Sequence, residues 1–167
     1  MKISLKLREM FALAKLAEVQ EIIGYKAALT KLYYEMINNE KFNKLIDIFE
    51  KINLNNTNIK EKYIKENQEL IIKQKDIDKL TEEEKNQLTE INKNFSIEIR
   101  ESNNELVKEI TEMIDSNENV GEFEFNPLLI SAIKNIIEST DKKINETKLD
   151  KLIIENLIEV YVKLPLV

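Results

Sequence analysis

The apolar residues of this chain change their spacing several times, and each change predicts a new structural element. Ile3, Leu5 and Leu7 alternate with polar residues, which is the pattern of a half-buried strand and predicts one over residues 2–7. The predicted sheet is small, because the other runs of this kind are equally short. Three further runs predict strands: 95–99, 121–125 and 160–164.

Apolar residues at spacings of three and four fill the segments between these runs and predict amphipathic helices. The first helix is expected over about residues 10–20, and a second begins near Lys26. Its apolar series continues to Ile52 with a change of phase at Asn38 and Asn39. The pattern is therefore compatible with one long bent helix or with two helices joined at these asparagines.

Polar residues that cap helices mark several further helix starts. A capping side chain satisfies backbone amides that the first helical turn leaves free, and proline fits the first helical position because it has no amide to satisfy. Four residue pairs have these patterns and predict helix starts: Thr81 with Glu84, Ser102 with Glu105, Asn126 with Pro127, and Thr147 with Asp150.

Short strands scattered among longer helices predict the α+β class, dominated by helices and with a small sheet. The chain has 167 residues, a length that suits one domain or two small ones. Four asparagines and one threonine lie among residues 53–58 and predict a linker, because their side chains compete for backbone hydrogen bonds and favour turns. We expect a single domain over residues 1–167 with a sub-boundary near 53–58.

The composition excludes several classes of catalytic site. The chain contains no Cys and no His, which removes disulfides, Cys/His zinc sites, thiol nucleophiles and histidine acid–base chemistry. Its two glycines, Gly24 and Gly121, are too few for a phosphate-binding loop or a dinucleotide fingerprint. We therefore expect a protein that is not an enzyme and that uses no cofactor.

The charge is mildly acidic and mixed along the chain. Lys and Arg total 25 against 31 Asp and Glu, for a net charge of −6, and no segment forms a basic tail or stripe. Nucleic acid is therefore not an expected partner. No run approaches the roughly 20 apolar residues of a membrane span, and the first residues lack a signal-peptide core. We expect a cytoplasmic protein with no membrane partner.

The two arginines occupy matching positions in two of the predicted strands. The segments that contain Arg8 and Arg100 share the order apolar, Ser, apolar, charged, apolar, Arg, Glu. If these strands are neighbours, the two guanidinium groups form a site for a carboxylate or phosphate, which guanidinium binds bidentately. Lys6 and Lys26 complete this candidate anion-binding site. The alternative is coincidence combined with surface Arg–Glu pairing.

Two further groups of residues have both a chemical and a structural interpretation. Asp76 and Asp78 have a spacing at which carboxylates hold a divalent cation on an extended backbone, but a calcium loop needs more oxygen ligands. A solvated turn is therefore the favoured prediction, and no metal is expected. Three tyrosines would form a base-stacking platform beside two phosphate-binding lysines if they were exposed: Tyr25, Tyr33 and Tyr34, with Lys26 and Lys31. At helical spacing, core packing is the favoured prediction.

The order of the predicted elements carries a family resemblance. Its parts are the strand 1–6, the helix with Leu13 and Leu16, the segment 24–29, the charged helix ending near Tyr63, the polar insert 65–80, the helix 81–92, the strand 95–99 and the helix from Asn126. Over about residues 1–138 the chain resembles a family of small phage proteins of unknown function, found in phages and prophages of Gram-positive bacteria. It departs from that family by a helix at 102–115 and a tail at 139–167.

The resemblance implies a phage or mobile-element origin and an accessory or host-interaction role, and it transfers no site residues. We expect a phage-encoded binding protein of the host cytoplasm that acts through a protein partner; inhibition of a host or defence process is one form of this role. Self-association is also expected, since amphipathic helices in a short chain leave apolar surface uncovered. Two alternatives stay open: a protein that sequesters a small anion or nucleotide signal, and a virion structural or assembly factor.

Overall fold

The computed structural model describes residues 1–139 and 150–165. This part of the chain is dominated by helices and contains a small antiparallel sheet, which confirms the predicted class at that level. A single 3₁₀ turn, Ile77–Lys79, lies between α4 and α5. The elements are β1 (Lys2–Lys6), α1 (Leu7–Val19), α2 (Ile23–Met36), α3 (Glu40–Glu66), α4 (Gln68–Lys73), α5 (Glu82–Asp115), β2 (Asn119–Glu124), α6 (Pro127–Glu138) and α7 (Lys151–Val162).

The chain divides into two compact units. Unit 1 comprises residues 1–45 together with the described part of 112–167, and unit 2 comprises Ile46–Thr111. Helices α3 and α5 each contribute residues to both units. The division concerns compactness and leaves the prediction of a single domain untested.

Unit 1 contains the sheet, in which β1 and β2 pair antiparallel. Ile3 lies opposite Phe123 and Ser4 opposite Glu122. Alternation along the strands buries the side chains of Ile3, Leu5 and Phe123, whereas Glu122 stays exposed. The strands predicted near residues 2–7 and 121–125 therefore form.

Helices of unit 1 enclose the apolar core. Helix α1 contacts β1, α2 and α7, while α6 contacts α2 and α7. Each of these helices directs one apolar face inwards, so the core combines residues that are far apart in sequence. The largest completely buried side chains all belong to this unit: Leu5, Met10, Leu13, Leu16, Leu29, Leu32, Met36, Phe42, Leu45, Phe125, Leu129 and Ile133.

A buried charge joins the end of α7 to the junction of β1 and α1. The Glu9 side chain is completely buried, and its Oε2 accepts a hydrogen bond from Lys163 Nζ at 2.7 Å and from the Lys6 amide at 2.8 Å. Lys163 Nζ also donates to the Ser4 carbonyl at 2.9 Å. This pairing matters because a buried carboxylate without a cation is strongly destabilising.

Unit 2 is a helical hairpin in which α3 runs antiparallel to α5. Tyr63 packs edge-to-face on Phe95 with ring centroids 5.3 Å apart, and Lys62 Nζ pairs with Glu98 Oε1 at 3.2 Å. Nearer the start of the hairpin, Asn103 on α5 meets α3 at Asn55. Residues later in α3 thus contact residues earlier in α5, which shows that the two helices are antiparallel.

Three asparagines form a closed hydrogen-bond network inside this hairpin. Asn103 is buried, and its Nδ2 donates to Asn56 Oδ1 at 2.8 Å and to the Ile99 carbonyl at 3.0 Å. Asn55 Nδ2 donates to Asn103 Oδ1 at 3.1 Å. Every polar atom of the Asn103 side chain therefore has a partner, as burial of an amide requires.

Two predicted strands and one predicted linker are wrong. Residues 95–99 lie within α5, and Val160–Val162 end α7. An alternating run of five residues also fits a helix, because its first and last residues, Phe95 and Ile99, are four positions apart. Phe95 packs on Tyr63 of α3. Residues 53–58 are helical as well, since two of the asparagines bond to Asn103 instead of their own backbone.

Most of the predicted helix caps form, and one predicted helix start is wrong. Thr81 Oγ1 accepts from the Glu84 amide at 3.1 Å while Glu84 Oε1 accepts from the Thr81 amide at 3.3 Å, so this capping box is confirmed. Asn126 caps α6 and Asp150 caps α7, whereas Thr147 lies outside the described residues. The predicted helix start at Ser102 is wrong, because α5 runs through it.

The change of phase at Asn38 and Asn39 marks a break between two helices. Helix α2 ends at Met36 and α3 begins at Glu40, which decides between the two structures that the sequence left open. Asn39 Oδ1 accepts from the Phe42 amide at 3.2 Å, and its Nδ2 donates to the Val120 carbonyl at 3.0 Å. The asparagine thus caps α3 and also fastens that turn to β2.

Candidate protein-binding surface

Helix α2 has a second apolar face that no described part of the chain covers. Its buried face consists of Ala28, Leu29, Leu32 and Met36. On the other side, apolar and small residues recur at spacings of four, three and four, which is the seam pattern of helices that pack side by side. We call this set the α2 stripe: Ile23, Ala27, Thr30 and Tyr34.

The ends of the α2 stripe are unusually open to solvent for their residue types. Ile23 is 86% exposed and Tyr34 is 65% exposed. Ile22 and Leu128 are also about half exposed, and Leu128 Cδ2 is the nearest atom to the open side of Gly24. The apolar surface therefore continues past the start of the helix onto the first turn of α6.

The aromatic end of the α2 stripe rests on the core. The Tyr34 ring packs edge-to-face on Tyr33 with centroids 5.9 Å apart, and Tyr33 packs in the same way on buried Phe42 at 6.2 Å. This arrangement orients the Tyr34 ring while leaving most of it exposed. The prediction that Tyr34 belongs to the core is therefore wrong.

Two lysines flank the α2 stripe. Lys26 and Lys31 are exposed, and together with the four stripe residues they line a shallow open groove. Neither lysine forms an ion pair with any residue in 1–139 or 150–165. The groove thus combines an apolar floor with two positive charges that have no acidic partner within the described part of the chain.

No protein-family model, curated protein or solved structure matches the chain. The resemblance to a phage family stays a prediction, and the functional interpretation rests on the geometry of the described residues. No helix among those residues is long and apolar enough to cross a membrane.

Arg8, the first residue of the predicted anion-binding site, is held by four hydrogen bonds within unit 1. Its guanidinium donates to both carboxylate oxygens of Glu159 at 3.2 and 3.4 Å, to the Ser116 carbonyl at 3.2 Å and to Asn117 Oδ1 at 3.0 Å. Lys6 Nζ lies 3.9 Å from the same Glu159 carboxylate. These two cations therefore serve a structural cluster.

Arg100 does not end a strand, so the paired-strand geometry of that site is not formed. It is an exposed residue of α5 in unit 2, whereas Arg8 begins α1 in unit 1. Lys26, the fourth residue of the predicted site, lies beside the α2 stripe. The matching order around the two arginines is a sequence coincidence, because one copy forms a strand and the other a helix.

Asp76 and Asp78 lie at the 3₁₀ turn and not on extended backbone. Asp76 Oδ2 pairs with Lys79 Nζ at 3.0 Å. Among the described residues, no three acidic side chains are grouped closely enough to hold a metal ion.

A second polar cluster lies on the hairpin of unit 2. Hydrogen bonds from the Tyr63 hydroxyl and the Lys62 ammonium hold the pKa of Glu98 below its ordinary value. The same carboxylate raises the pKa of Tyr63 and of Lys62. The cluster joins α3 to α5, and its charges are internally paired, which fits a structural role.

The sequence contained the signal for the α2 stripe, but the predicted helix boundary concealed it. With a helix start at Lys26, Ile23 lies outside the helix and the spacing of four, three and four is incomplete. The observed start at Ile23 adds one turn and completes the pattern. Helix ends are defined by few local constraints when no side chain caps them, and α2 has no such cap.

Proposed function

We propose that the chain is a non-enzymatic binding protein that acts by holding a partner polypeptide on the α2 stripe. The observation that carries this proposal is the 86% exposure of Ile23 at a seam position of a helix whose other face is buried. Large apolar side chains grouped on a surface mark interaction sites, because leaving them in water costs free energy that a partner recovers.

The shape of the surface supports a polypeptide over a small molecule. Small ligands bind in enclosed concave sites that cover most of their surface, whereas the groove over the α2 stripe is shallow and open. From Ile23 to Tyr34 the stripe spans eleven helical steps, or about 16 Å, which suits a second helix lying along it.

The family resemblance supports a specific form of this role. A phage-encoded protein of the host cytoplasm that binds a partner would inhibit a host or defence process, or would assist particle assembly. Both forms require a bound polypeptide and differ in which polypeptide it is. Sequestration of a small anion has no comparable support, because the guanidinium of Arg8 is already occupied.

Site-specific photo-crosslinking tests the proposal in the native cells. The photoreactive amino acid p-benzoylphenylalanine replaces Tyr34, and we expect ultraviolet light to produce a discrete adduct with a polypeptide. Adding Ile23→Asp is expected to reduce the adduct by about tenfold, since central apolar contacts dominate such interfaces. Val162→Asp is the matched control, because Val162 is 75% exposed and belongs to α7.

Both substitutions are expected to leave the melting temperature nearly unchanged, as exposed positions usually do. The proposal is wrong if no adduct forms, or if Val162→Asp reduces the adduct as strongly as Ile23→Asp. Comparing adducts from infected and uninfected cells, and from purified particles, separates the host-directed form from the assembly form.

A further inference from the structure

We propose that the partner on the α2 stripe is a second copy of this chain, docked so that the two α2 helices run antiparallel. This inference rests on the proposed function and names the occupant of the same surface. It is carried by the order of side chains along the stripe and by the charges on its two flanks.

The α2 stripe has a large side chain at each end and two smaller side chains between them, so a second copy in the opposite direction presents the same sequence of sizes. In an antiparallel pair centred between Ala27 and Thr30, Ile23 faces the partner's Tyr34, and Ala27 faces the partner's Thr30. Antiparallel helix pairs build their seam from such mixed layers. Small side chains lie at the centre, where the helices approach most closely, and the large exposed side chains close both ends.

The flanking charges discriminate between the two orientations. In a parallel pair, the residue on one flank meets the residue five positions later on the other chain, which would set Lys26 against the partner's Lys31 on both sides. In the antiparallel pair, Lys26 lies beside the partner's Tyr33 and Lys31 beside the partner's Gly24. Like charges are thus separated, and one lysine on each chain gains an aromatic neighbour.

The helix ends favour the same orientation. The first turn of α2 has neither a side-chain cap nor an acidic residue, so its amides and its positive end can accept further negative charge. Antiparallel docking places the negative C-terminal end of the partner helix next to it. Ile22 and Leu128 extend the apolar surface at this end, so that the partner's Tyr34 covers more than Ile23 alone.

Sedimentation equilibrium on the purified full chain tests for the second copy. We expect a monomer–dimer equilibrium that favours the dimer at about 100 µM. Ile23→Glu and Tyr34→Glu should each weaken the dimer by about tenfold or more, and Val162→Glu should not. Circular dichroism and thermal melting establish that each variant is folded. A chain that is monomeric at that concentration, or a dimer broken by Val162→Glu and not by Ile23→Glu, overturns the inference.

Disulfide trapping tests the orientation, and the absence of native cysteine removes background. In the antiparallel pair, a mixture of the Ile23→Cys and Tyr34→Cys proteins should form a mixed disulfide under mild oxidation. Ile23→Cys alone should not dimerise covalently, because the two copies of that position lie about 16 Å apart along the seam, well beyond the reach of a disulfide. Efficient disulfide formation by Ile23→Cys alone would indicate a parallel pair.

Gly24→Glu provides a test by gain of affinity. A Cβ at Gly24 would meet only Leu128 Cδ2, at 3.9 Å, so the position accepts a side chain. The new carboxylate would lie beside the partner's Lys31 at both ends of the seam, and two exposed ion pairs correspond to about a fourfold tighter dimer at low salt. A weaker dimer contradicts the antiparallel register.

The outcomes also separate this inference from the proposed function. A monomeric chain that still forms a photo-adduct with another protein overturns the second copy and leaves the binding role in place. A chain that forms no adduct at Tyr34 with any polypeptide, its own copy included, overturns both.

Discussion

At the scale of single residues, Arg8 shows how a side chain with an apparent binding role is used by the fold. Its four hydrogen bonds join the start of α1 to the turn before β2 and to α7, all within unit 1. A residue that only binds a ligand can be replaced without loss of stability, whereas these contacts predict that Arg8→Ala destabilises the fold.

Arg8→Ala should lower the free energy of unfolding by about 2 kcal/mol, because charge-assisted hydrogen bonds are lost and the partly buried Glu159 loses the nearer of its two cations. Arg100→Ala, at an exposed position of α5, should stay within about 0.5 kcal/mol of the parent. Urea unfolding followed by circular dichroism measures both. Equal effects of the two substitutions would contradict the structural role of Arg8.

Lys163 is the second residue with a measurable structural role. Lys163→Met should cost about 3 kcal/mol, because it leaves the completely buried carboxylate of Glu9 without its cation. Lys41→Met breaks an exposed pair with Glu118 and should cost less than about 1 kcal/mol. The comparison uses the same urea experiment. If the two variants lose similar stability, burial does not govern the Glu9 pair.

At the scale of elements, the hairpin of unit 2 shows which local signals are reliable. The capping box at Thr81 forms as predicted, because both of its hydrogen bonds join residues three positions apart. The asparagines at 53–58 do not form the predicted linker, since their partner Asn103 lies almost fifty residues away. Signals completed within one turn are therefore predictable, and those completed by a distant helix are not.

Asn103→Ala should lower the free energy of unfolding by about 2 kcal/mol, because it leaves the amides of Asn55 and Asn56 without their partner inside the hairpin. Asn104→Ala is the matched control, since Asn104 is the same residue type one position later and is exposed. It should change stability by less than about 0.5 kcal/mol. An unchanged free energy of unfolding in Asn103→Ala would mean that water replaces the hydrogen bonds of the network with no loss of stability.

The charged pairs of the hairpin predict a stability maximum between acid and alkaline limits. The pKa values of Glu84 and Glu98 lie below the ordinary 4.5, with hydrogen bonds from Lys73 and Tyr63 as the largest causes. Their contribution is fully present above that pH and is lost as pH falls through the lowered pKa values. The raised pKa of Tyr63 acts in the other direction: its contribution is present below pH 10.0 and is lost as pH rises through the raised pKa.

Unfolding measured across pH should therefore show a shallower acid decline in Glu98→Gln than in the parent. Tyr63→Phe should reduce the alkaline decline, and it should reduce the acid decline as well, because the Tyr63 hydroxyl is the largest cause of the lowered pKa of Glu98. Glu101→Gln, an exposed substitution on the same helix, serves as the control. Identical pH profiles in the parent and in Glu98→Gln would show that this cluster does not couple protonation to folding.

At the scale of the whole molecule, net charge opposes self-association while the α2 stripe favours it. Each copy carries −6, and the proposed seam contains no ion pair between chains. Added salt screens the repulsion and leaves the apolar contact in place. The dimer dissociation constant should therefore fall about threefold between about 50 and 500 mM NaCl, as measured by sedimentation equilibrium. A dissociation constant that rises with salt would indicate that ion pairs hold the interface together.

The sequence by itself determined the features whose physical cause lies within a few residues. The caps at Thr81 and Asn126 and the buried alternation of β1 are of this kind, because a capping bond or a strand face involves near neighbours. The absence of cysteine and histidine chemistry follows from composition in the same direct way.

Only the tertiary structure decided the features that depend on distant residues. The short apolar run at 95–99 became helical because Phe95 packs on Tyr63 of α3, and Arg8 lost its free guanidinium to Glu159 of α7. The two apolar faces of α2 look alike in sequence, since hydropathy does not record which face a core will cover. Packing of α1 and α6 on one face leaves Ile23 and Tyr34 in solvent on the other, and that choice creates the surface on which the proposed function depends.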